Sequence, residues 1–453
     1  MPSLREYQEE AVGFLLPRLH AALFLNPGMG KSLIILELLN RLRFRGVKRV
    51  LIIAPIRVCK FVWPAEIQKW EYPFTSTVLH GPKKTVDRGS KRHGITHIDL
   101  INPEGLKWFF DQELPEYDAL VVDESSLLKS PSSKWFKLLK RELNRFNRRY
   151  IMTGTPTPRS LQDLWSQIFI LDKGERLGKY ITHFRNAYFY QVMRGNYFDW
   201  KPIQGMEDVV YKRIAPIALR LDAEKLIDLP DLLYNDIQIE LPPKAKKAYI
   251  GIQKSLFAEL DGAEIYADTA ASAYGLCCQM VGGAMYHEGG VQVLHDEKIK
   301  ALKSLVEELN GKPVLIAYRF KHELERLQKA LPDNRAIHGG SSGKEDAQTL
   351  SSWNAGEVPV LLAQVQSIAF GLNMQGGGCA DVVWFSLTDD FQLYQQLNRR
   401  IYRSGNKAKK VRVHRLVAKD TVDEMISKRL SSKDERQRSL FEALQAWRKH
   451  GSN

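Results

Sequence analysis

Along the chain, short unbroken apolar runs alternate with stretches in which apolar residues recur every three or four positions. Ala21-Ala22-Leu23-Phe24-Leu25 is followed by Leu33-Ile34-Ile35-Leu36-Glu37-Leu38-Leu39 at helical period; Val50-Leu51-Ile52-Ile53-Ala54 stops at Pro55; Ala119-Leu120-Val121-Val122 runs straight into Asp123 and Glu124; and Tyr150-Ile151-Met152 ends in Thr153-Gly154-Thr155-Pro156. Runs that are apolar at every position are strands buried on both faces, and their alternation with helical periods predicts a parallel sheet. A second series of the same kind, Val314–Tyr318, Arg335–His338, Val360–Ala363 and Val382–Phe385, predicts another. The expected fold class is therefore α/β, with two parallel-sheet lobes in tandem.

Between the two series the pattern is mixed. Proline-containing segments at Leu229-Pro230 and Leu241-Pro242-Pro243 read as loops, and Lys244 to Leu260 as a helix. Residues 173–297 are accordingly expected to form a helical linker or insertion between a first lobe over 1–172 and a second over 298–420, with amphipathic helices over 421–453 as a C-terminal brace. The aromatic run His183-Phe184-Arg185-Asn186-Ala187-Tyr188-Phe189-Tyr190 is assigned to a core rather than to base stacking.

In a parallel α/β sheet, ligands gather beyond the carboxyl ends of the strands, so the residues there matter most. After the first run comes Asn26-Pro27-Gly28-Met29-Gly30-Lys31-Ser32. A strand, a glycine turn and a helix start aim backbone N–H groups at a bound anion. Gly28 and Gly30 allow a close turn around Pro27 and Met29, Lys31 reaches the β- and γ-phosphates of a nucleotide, and the Ser32 hydroxyl is a ligand for Mg²⁺. Leu25 stands where the full phosphate-loop pattern has its first glycine. At the end of the third run, Asp123 can hold Mg²⁺ while Glu124 polarises an attacking water. The threonines of Thr153-Gly154-Thr155 can bond phosphate or carboxylate. Arg57, just past Pro55, is either a phosphate contact or a solvated cation, and Gln8 either reads an adenine or is a solvated helix residue. In Gln396-Leu397-Asn398-Arg399-Arg400-Ile401-Tyr402-Arg403, Arg400 and Arg403 stand three apart on a predicted helix and can reach a γ-phosphate as arginine fingers.

The chain has 453 residues and a formal net charge of +14, which favours a polyanionic partner such as nucleic acid. No apolar run approaches a bilayer span, and Met1-Pro2-Ser3-Leu4-Arg5-Glu6 lacks the apolar centre of a signal peptide, so a cytoplasmic protein is expected, in a host cytoplasm if the source is viral. Its four cysteines have no metal-ligand spacing and no disulfide framework.

Taken in order, these boxes resemble a superfamily-two helicase-like ATPase, most similar to the Swi/Snf branch of double-stranded DNA translocases in a minimal, phage- or prokaryote-like form. The resemblance rests on Leu4-Arg5-Glu6-Tyr7-Gln8, the phosphate loop, Asp123-Glu124, Met152–Pro156 with Leu161-Gln162-Asp163-Leu164-Trp165, Ala218-Leu219-Arg220, Val314–Phe320, Phe370-Gly371-Leu372-Asn373 and Gln396–Gly405. It implies two RecA-like lobes using ATP and Mg²⁺, with Gln8 on adenine and Gly371 as a further nucleotide contact. Arg57, Lys129, Arg319 and His338 are candidates for gripping DNA. It implies an ATP-driven motor on double-stranded or branched DNA, expected to be monomeric; fork regression or branch migration, and a nucleotide-gated clamp that does not move, are the alternatives. Ser126 stands where the family often has histidine.

Overall fold

The computed structural model describes residues 3–82, 84–86, 95–194, 197–221, 226, 229–262, 267–341, 343–368 and 374–433. These divide near residue 228 into two compact units, each with its own parallel sheet. In the first unit, β1 (His20–Leu25), β2 (Arg49–Ile53), β3 (Phe74–Val78), β4 (Thr96–Ile101), β5 (Tyr117–Asp123) and β6 (Phe146–Thr153) precede an antiparallel ribbon of β7 (Phe189–Arg194) and β8 (Tyr197–Pro202), and β9 (Ala218–Leu221) follows. The sheet order is β3-β4-β2-β5-β6-β1-β9. Ala21 to Leu25, Val50 to Ile53 and Ala119 to Val122 are buried along their whole length, as strands covered on both faces must be.

The second unit contains β10 (Asp231–Ile239), the hairpin β11 (Ala284–His287) and β12 (Gly290–Val293), then β13 (Val314–Tyr318), β14 (Asn334–Ile337), β15 (Val360–Gln364), β16 (Asp381–Trp384) and β17 (Lys410–Ala418). Its parallel sheet runs β10-β17-β16-β13-β15-β14. The fold class is two parallel-sheet α/β lobes.

The stretch 173–297 differs from a helical linker. It holds the helices Ile181–Tyr188 and Met206–Ile214 around the β7–β8 ribbon, after which β9 joins the first sheet beside β1 and β10 joins the second beside β17. Neither strand shows an apolar run, because β9 is four residues long and β10 is mostly exposed. The helices Pro243–Gly262 and Ala267–Val281 follow. Residues 422–433 are helical, with Ile426 and Leu430 buried, while the remainder of the expected brace lies outside the described residues. Among the described residues no helix is long and apolar enough to cross a membrane.

Each sheet buries one aspartate among cationic side chains. Asp99 accepts from Arg49 Nε and Nη2 at 2.9 and 2.8 Å and from the Tyr117 hydroxyl at 2.7 Å, with His97 Nε2 3.3 Å away. In the second unit Arg412 grips Asp381 through Nε and Nη2 at 2.6 and 2.7 Å, and His414 Nε2 lies 2.9 Å from the same carboxylate. Burial pushes the Asp99 carboxyl up, but the bonds from His97 and Tyr117 and the Arg49 charge outweigh it and hold it below the usual carboxylate range. Asp99→Asn should therefore lower unfolding stability by about 3 kcal/mol at neutral pH. A depressed folded pKa stabilises above the unfolded value and is lost as pH falls through the folded one, so the deficit should close below about pH 4 in urea titrations.

Candidate active site

The register of the first sheet brings the sequence boxes to one level. Phe24 of β1 is paired with Thr153 of β6 on one side and Arg220 of β9 on the other, and Asp123 of β5 is paired with Met152. The loops at 26–30, 123–126 and 153–156 therefore leave the sheet together, at its carboxyl end.

Gly28 and Gly30 both have positive φ, 91° and 71°, and Gly30 caps the helix Lys31–Arg43 in the left-handed conformation. The positive φ is what calls for glycine at position 30, and a Cβ there would also displace the Gln8 amide, whose Nε2 would lie 2.4 Å away. Gln8 is only 6% exposed, which overturns its reading as a solvated helix residue. Its Oε1 accepts from Arg5 N at 3.0 Å, and its Nε2 reaches Met29 O at 3.5 Å, beside the Tyr7 hydroxyl on the same carbonyl at 3.2 Å. The first helix is thereby pinned to the glycine loop. Lys31 Nζ folds back onto Leu25 O at 2.9 Å and Asn26 O at 3.3 Å, while the helix start offers N–H groups that lack partners within the helix. An anion such as a triphosphate suits both the N-terminal dipole and the ammonium.

Asp123 and Glu124 emerge beside one another. Trp63 Nε1, from the helix Trp63–Lys69, donates to Asp123 Oδ2 at 3.1 Å. Burial pushes the Asp123 carboxyl up to about 6, against the pull of the Lys31 charge and with a further push from Glu124. Lysine, aspartate and glutamate are thus in electrostatic contact. Glu124 has φ 65°, a left-handed conformation that costs a non-glycine residue about 1–3 kcal/mol. Its side chain is held firmly: Oε1 accepts from the Ser126 hydroxyl at 2.5 Å and from the Thr153 hydroxyl. Thr153 Oγ1 in turn accepts from Thr155 N at 3.1 Å. Ser125 donates to Gln167 Oε1 at 2.7 Å, and Gln167 Nε2 donates to Pro156 O at 2.6 Å, closing a chain of bonds from the acidic pair to the threonine turn. Of the two expected partners of the threonines, Thr153 has the carboxylate. The Thr155 hydroxyl is buried with no partner among the described residues, the state of a contact for water or phosphate.

Family comparison agrees with this geometry. The SNF2-related domain matches residues 7–261 and the helicase conserved C-terminal domain matches 297–405. The chain belongs to the SNF2-related family. It is a helicase-type enzyme that uses ATP. Protein p41 of Acyrthosiphon pisum secondary endosymbiont phage 1 is 33% identical over 97% of this chain and 98% of its own length. An uncharacterized ATP-dependent helicase of Mycoplasma pneumoniae is 24% identical over 96% of the chain, which spans only 42% of that relative. Among solved structures, the Sulfolobus solfataricus SWI2/SNF2 ATPase core in complex with dsDNA aligns at 22% identity and TM-score 0.46, over 97% of this chain and 92% of that one.

Other site residues of this SNF2-related ATPase fall as follows. Pro27 packs under the threonine turn, its Cδ 2.7 Å from where a Cβ on Gly154 would be. Ser32 is half-buried in the first turn of its helix, and its hydroxyl and the Asp123 carboxylate are hard oxygen donors of the kind Mg²⁺ takes. Arg57 is half-buried just past β2 and begins the π turn Val58–Val62, and half-buried Lys129 ends the turn after Ser125. In the second unit Arg319 follows β13 and donates to Leu387 O at 3.0 Å, and His338 follows β14 with its Nδ1 accepting from Gly340 N at 3.1 Å. Gly371 lies outside the described residues. Arg400 and Arg403 do not share a helix: it ends at Ile401, and Arg403 sits in the next turn. Asn406 Nδ2 caps Ile401 O at 2.9 Å there, and Gly405 with φ 87° turns the chain away.

Two supporting residues have roles that the sequence reading missed. Trp63 holds Asp123, and its only sequence signal is an apolar helix after the second strand. Arg220, 1% exposed, donates from Nη1 to Phe24 O at 3.0 Å and from Nη2 to Asn26 Oδ1 at 2.9 Å, bracing the entry to the phosphate loop from a strand nearly two hundred residues later.

Two expectations follow. Ser126→Ala and Thr153→Val should each lower kcat by about tenfold while leaving ATP affinity within about twofold, because they loosen the Glu124 carboxylate and leave the loop intact; single-turnover hydrolysis and nucleotide titration read the split. Asp123→Asn should raise the thermal midpoint of the nucleotide-free protein at pH 7.5 and abolish Mg²⁺-dependent turnover. A raised folded pKa makes the ionised form a cost, so the thermal gain should decline as pH falls below about 6 and vanish below about 4.

Proposed function

We propose that this chain is an ATP-driven motor that moves along duplex DNA. The observation that carries the reading is the meeting of Lys31, Asp123 and a doubly bonded Glu124 at the carboxyl end of one sheet. The helix start at Lys31 and the Lys31 ammonium bind the β- and γ-phosphates, and Gln8 selects adenine at the mouth of the loop. Ser32 and Asp123 would hold Mg²⁺, which supplies charge neutralisation on the phosphate oxygens when bound. Glu124, fixed by Ser126 and Thr153, orients the attacking water and accepts its proton. Arg400 and Arg403 are the proposed guanidinium groups of the hydrolytic set, the delocalised fork being suited to a spreading negative charge.

A clamp that only gates on nucleotide has no use for a glutamate held in a costly backbone conformation by two hydroxyls, so hydrolysis is the better reading. A nucleic-acid track is in keeping with the +14 charge, and an ATP-driven motor with the ATP-dependent helicase among the relatives. Arg57, Lys129, Arg319 and His338 are the proposed phosphate contacts, at or near the carboxyl ends of their sheets.

Lys31→Ala should abolish turnover, and Arg403→Ala should lower kcat by about a hundredfold or more with nucleotide binding retained. Wild-type ATPase should rise with double-stranded DNA and respond little to single strands or RNA. Unchanged rates in both variants would reject the site, and stimulation by RNA or single strands alone would reject the duplex motor.

A further inference from the structure

The first helix, Glu6–Leu15, presents Gln8 to the phosphate loop, yet its direct bonds to that loop are long. Gln8 Nε2 stands 3.5 Å from Met29 O and the Tyr7 hydroxyl 3.2 Å, at or near the limit of a useful hydrogen bond. Ala11, Val12 and Leu15 bury the helix by apolar contact, which is non-directional and sets no rotation about its axis. A directional attachment comes from the residue after Gln8.

Arg41, in the last turn of the helix Lys31–Arg43, takes Glu9 in both arms of its guanidinium: Nη1 lies 2.6 Å from Oε1, and Nη2 donates to Oε2 at 2.7 Å. One turn back along the same helix, Arg41 Nε donates to Glu37 Oε1 at 2.7 Å. The other oxygen of Glu37 accepts from the Tyr72 hydroxyl at 2.7 Å, just before β3. Glu37 and Tyr72 are buried while the Glu9 side chain is about half exposed, so the guanidinium is held from behind and reaches outward to the first helix. An exposed ion pair adds little to stability, but a two-armed grip on a carboxylate fixes both distance and plane. The bond from Arg41 also holds the Glu9 carboxyl below the usual carboxylate range. One helix therefore supplies the phosphate loop's N–H groups from its first turn and grips the neighbour of Gln8 from its last.

We infer that Arg41, backed by Glu37 and Tyr72, is a positioning residue for base recognition: it sets the rotation of the first helix so that the Gln8 amide faces the base, and so favours ATP over nucleotides with other bases. The inference rests on the reading of Gln8 as the adenine contact and names what supports it. Lysine is a poor substitute, since an ammonium is a point charge where the planar guanidinium bridges two acids.

The test measures ATP hydrolysis by the full chain with GTP as competitor, taking the ratio of the GTP inhibition constant to the KM for ATP as the selectivity, with Gln8→Ala as the reference variant. Gln8→Ala should lower that ratio by about tenfold, and Arg41→Met and Glu9→Ala should each lower it by about fivefold, through a higher KM for ATP with kcat within about twofold. Arg41→Lys should fall between wild type and Arg41→Met. Because the two residues act as one unit, Glu9→Ala/Arg41→Met should lose no more than either single variant. Glu9→Ala leaves Arg41 on Glu37 and changes only an exposed side chain, so it carries the test where Arg41→Met fails to fold. Wild-type selectivity in folded Glu9→Ala, with selectivity lost in Gln8→Ala, would overturn the inference and leave the adenine reading standing. A lowered thermal midpoint with KM and selectivity unchanged would overturn it in favour of a purely structural tie between the two helices. Unchanged selectivity in Gln8→Ala would remove the adenine reading, and the inference with it.

Discussion

Two carboxylates side by side at a strand end, both largely withdrawn from water, impose the constraint around which the first lobe is built. Their repulsion and desolvation have to be offset, and the structure does so with different partners for each. Asp123 takes an indole N–H from Trp63 and the field of Lys31, which leaves its pKa raised and its charge available to a cation. Glu124 takes two hydroxyl donors, which fix the direction of its oxygens without neutralising them. One carboxylate is suited to metal and the other to water because their surroundings differ, although they are neighbours in sequence.

Those surroundings explain the serine at 126. A histidine there would bring a titratable ring and a large side chain into a space with no exposure, whereas Ser126 donates a short bond to the residue two before it. The backbone at Glu124 turns left-handed to make this possible, and the Ser125–Gln167–Pro156 bonds tie the turn to the segment after β6. A shift of the threonine turn would therefore be felt at the glutamate through Thr153, with no intervening flexible side chain.

How much of this could be read from the chain depends on what each element buries. Strands β1, β5 and β13 are legible because each carries an unbroken run of at least four buried apolar residues. Strand β4, Thr-His-Ile-Asp-Leu-Ile, and β17, Lys-Val-Arg-Val-His-Arg-Leu-Val-Ala, hide because their polar residues pair with residues of other strands: Asp99 with Arg49, Arg412 and His414 with Asp381, Arg415 with Asp236. Charge in a strand looks like solvent exposure until its partner on another strand is known. The phosphate loop and the acidic pair were legible as local chemistry, since each is a strand running into residues of one kind. Trp63 and Arg220 were not, because their roles consist of contacts with residues sixty and nearly two hundred positions away. The Arg400–Arg403 helix was overextended for a local reason: the period continues past Ile401, but Gly405 and the Asn406 cap end it.

The second lobe closes a similar strand–turn–helix in a different way. After β13 the chain passes through Arg319 and Phe320 into the helix Lys321–Ala330, the arrangement that in the first lobe leaves helix-start N–H groups for an anion. Here the anion is internal. Glu323 Oε2 accepts from Arg319 N at 2.8 Å and Phe320 N at 3.0 Å, and Ser386 holds its other oxygen. A carboxylate three residues into the helix has taken the place a phosphate would fill, with a short polar side chain securing it. The first lobe has Leu33 and Ile34 at the corresponding depth of its helix, with no carboxylate to fold back, and Met29 and Gly30 where the second has Arg319 and Phe320. One acidic side chain at the head of a helix thus supplies, from within the chain, the acceptor that the first lobe's helix start leaves open.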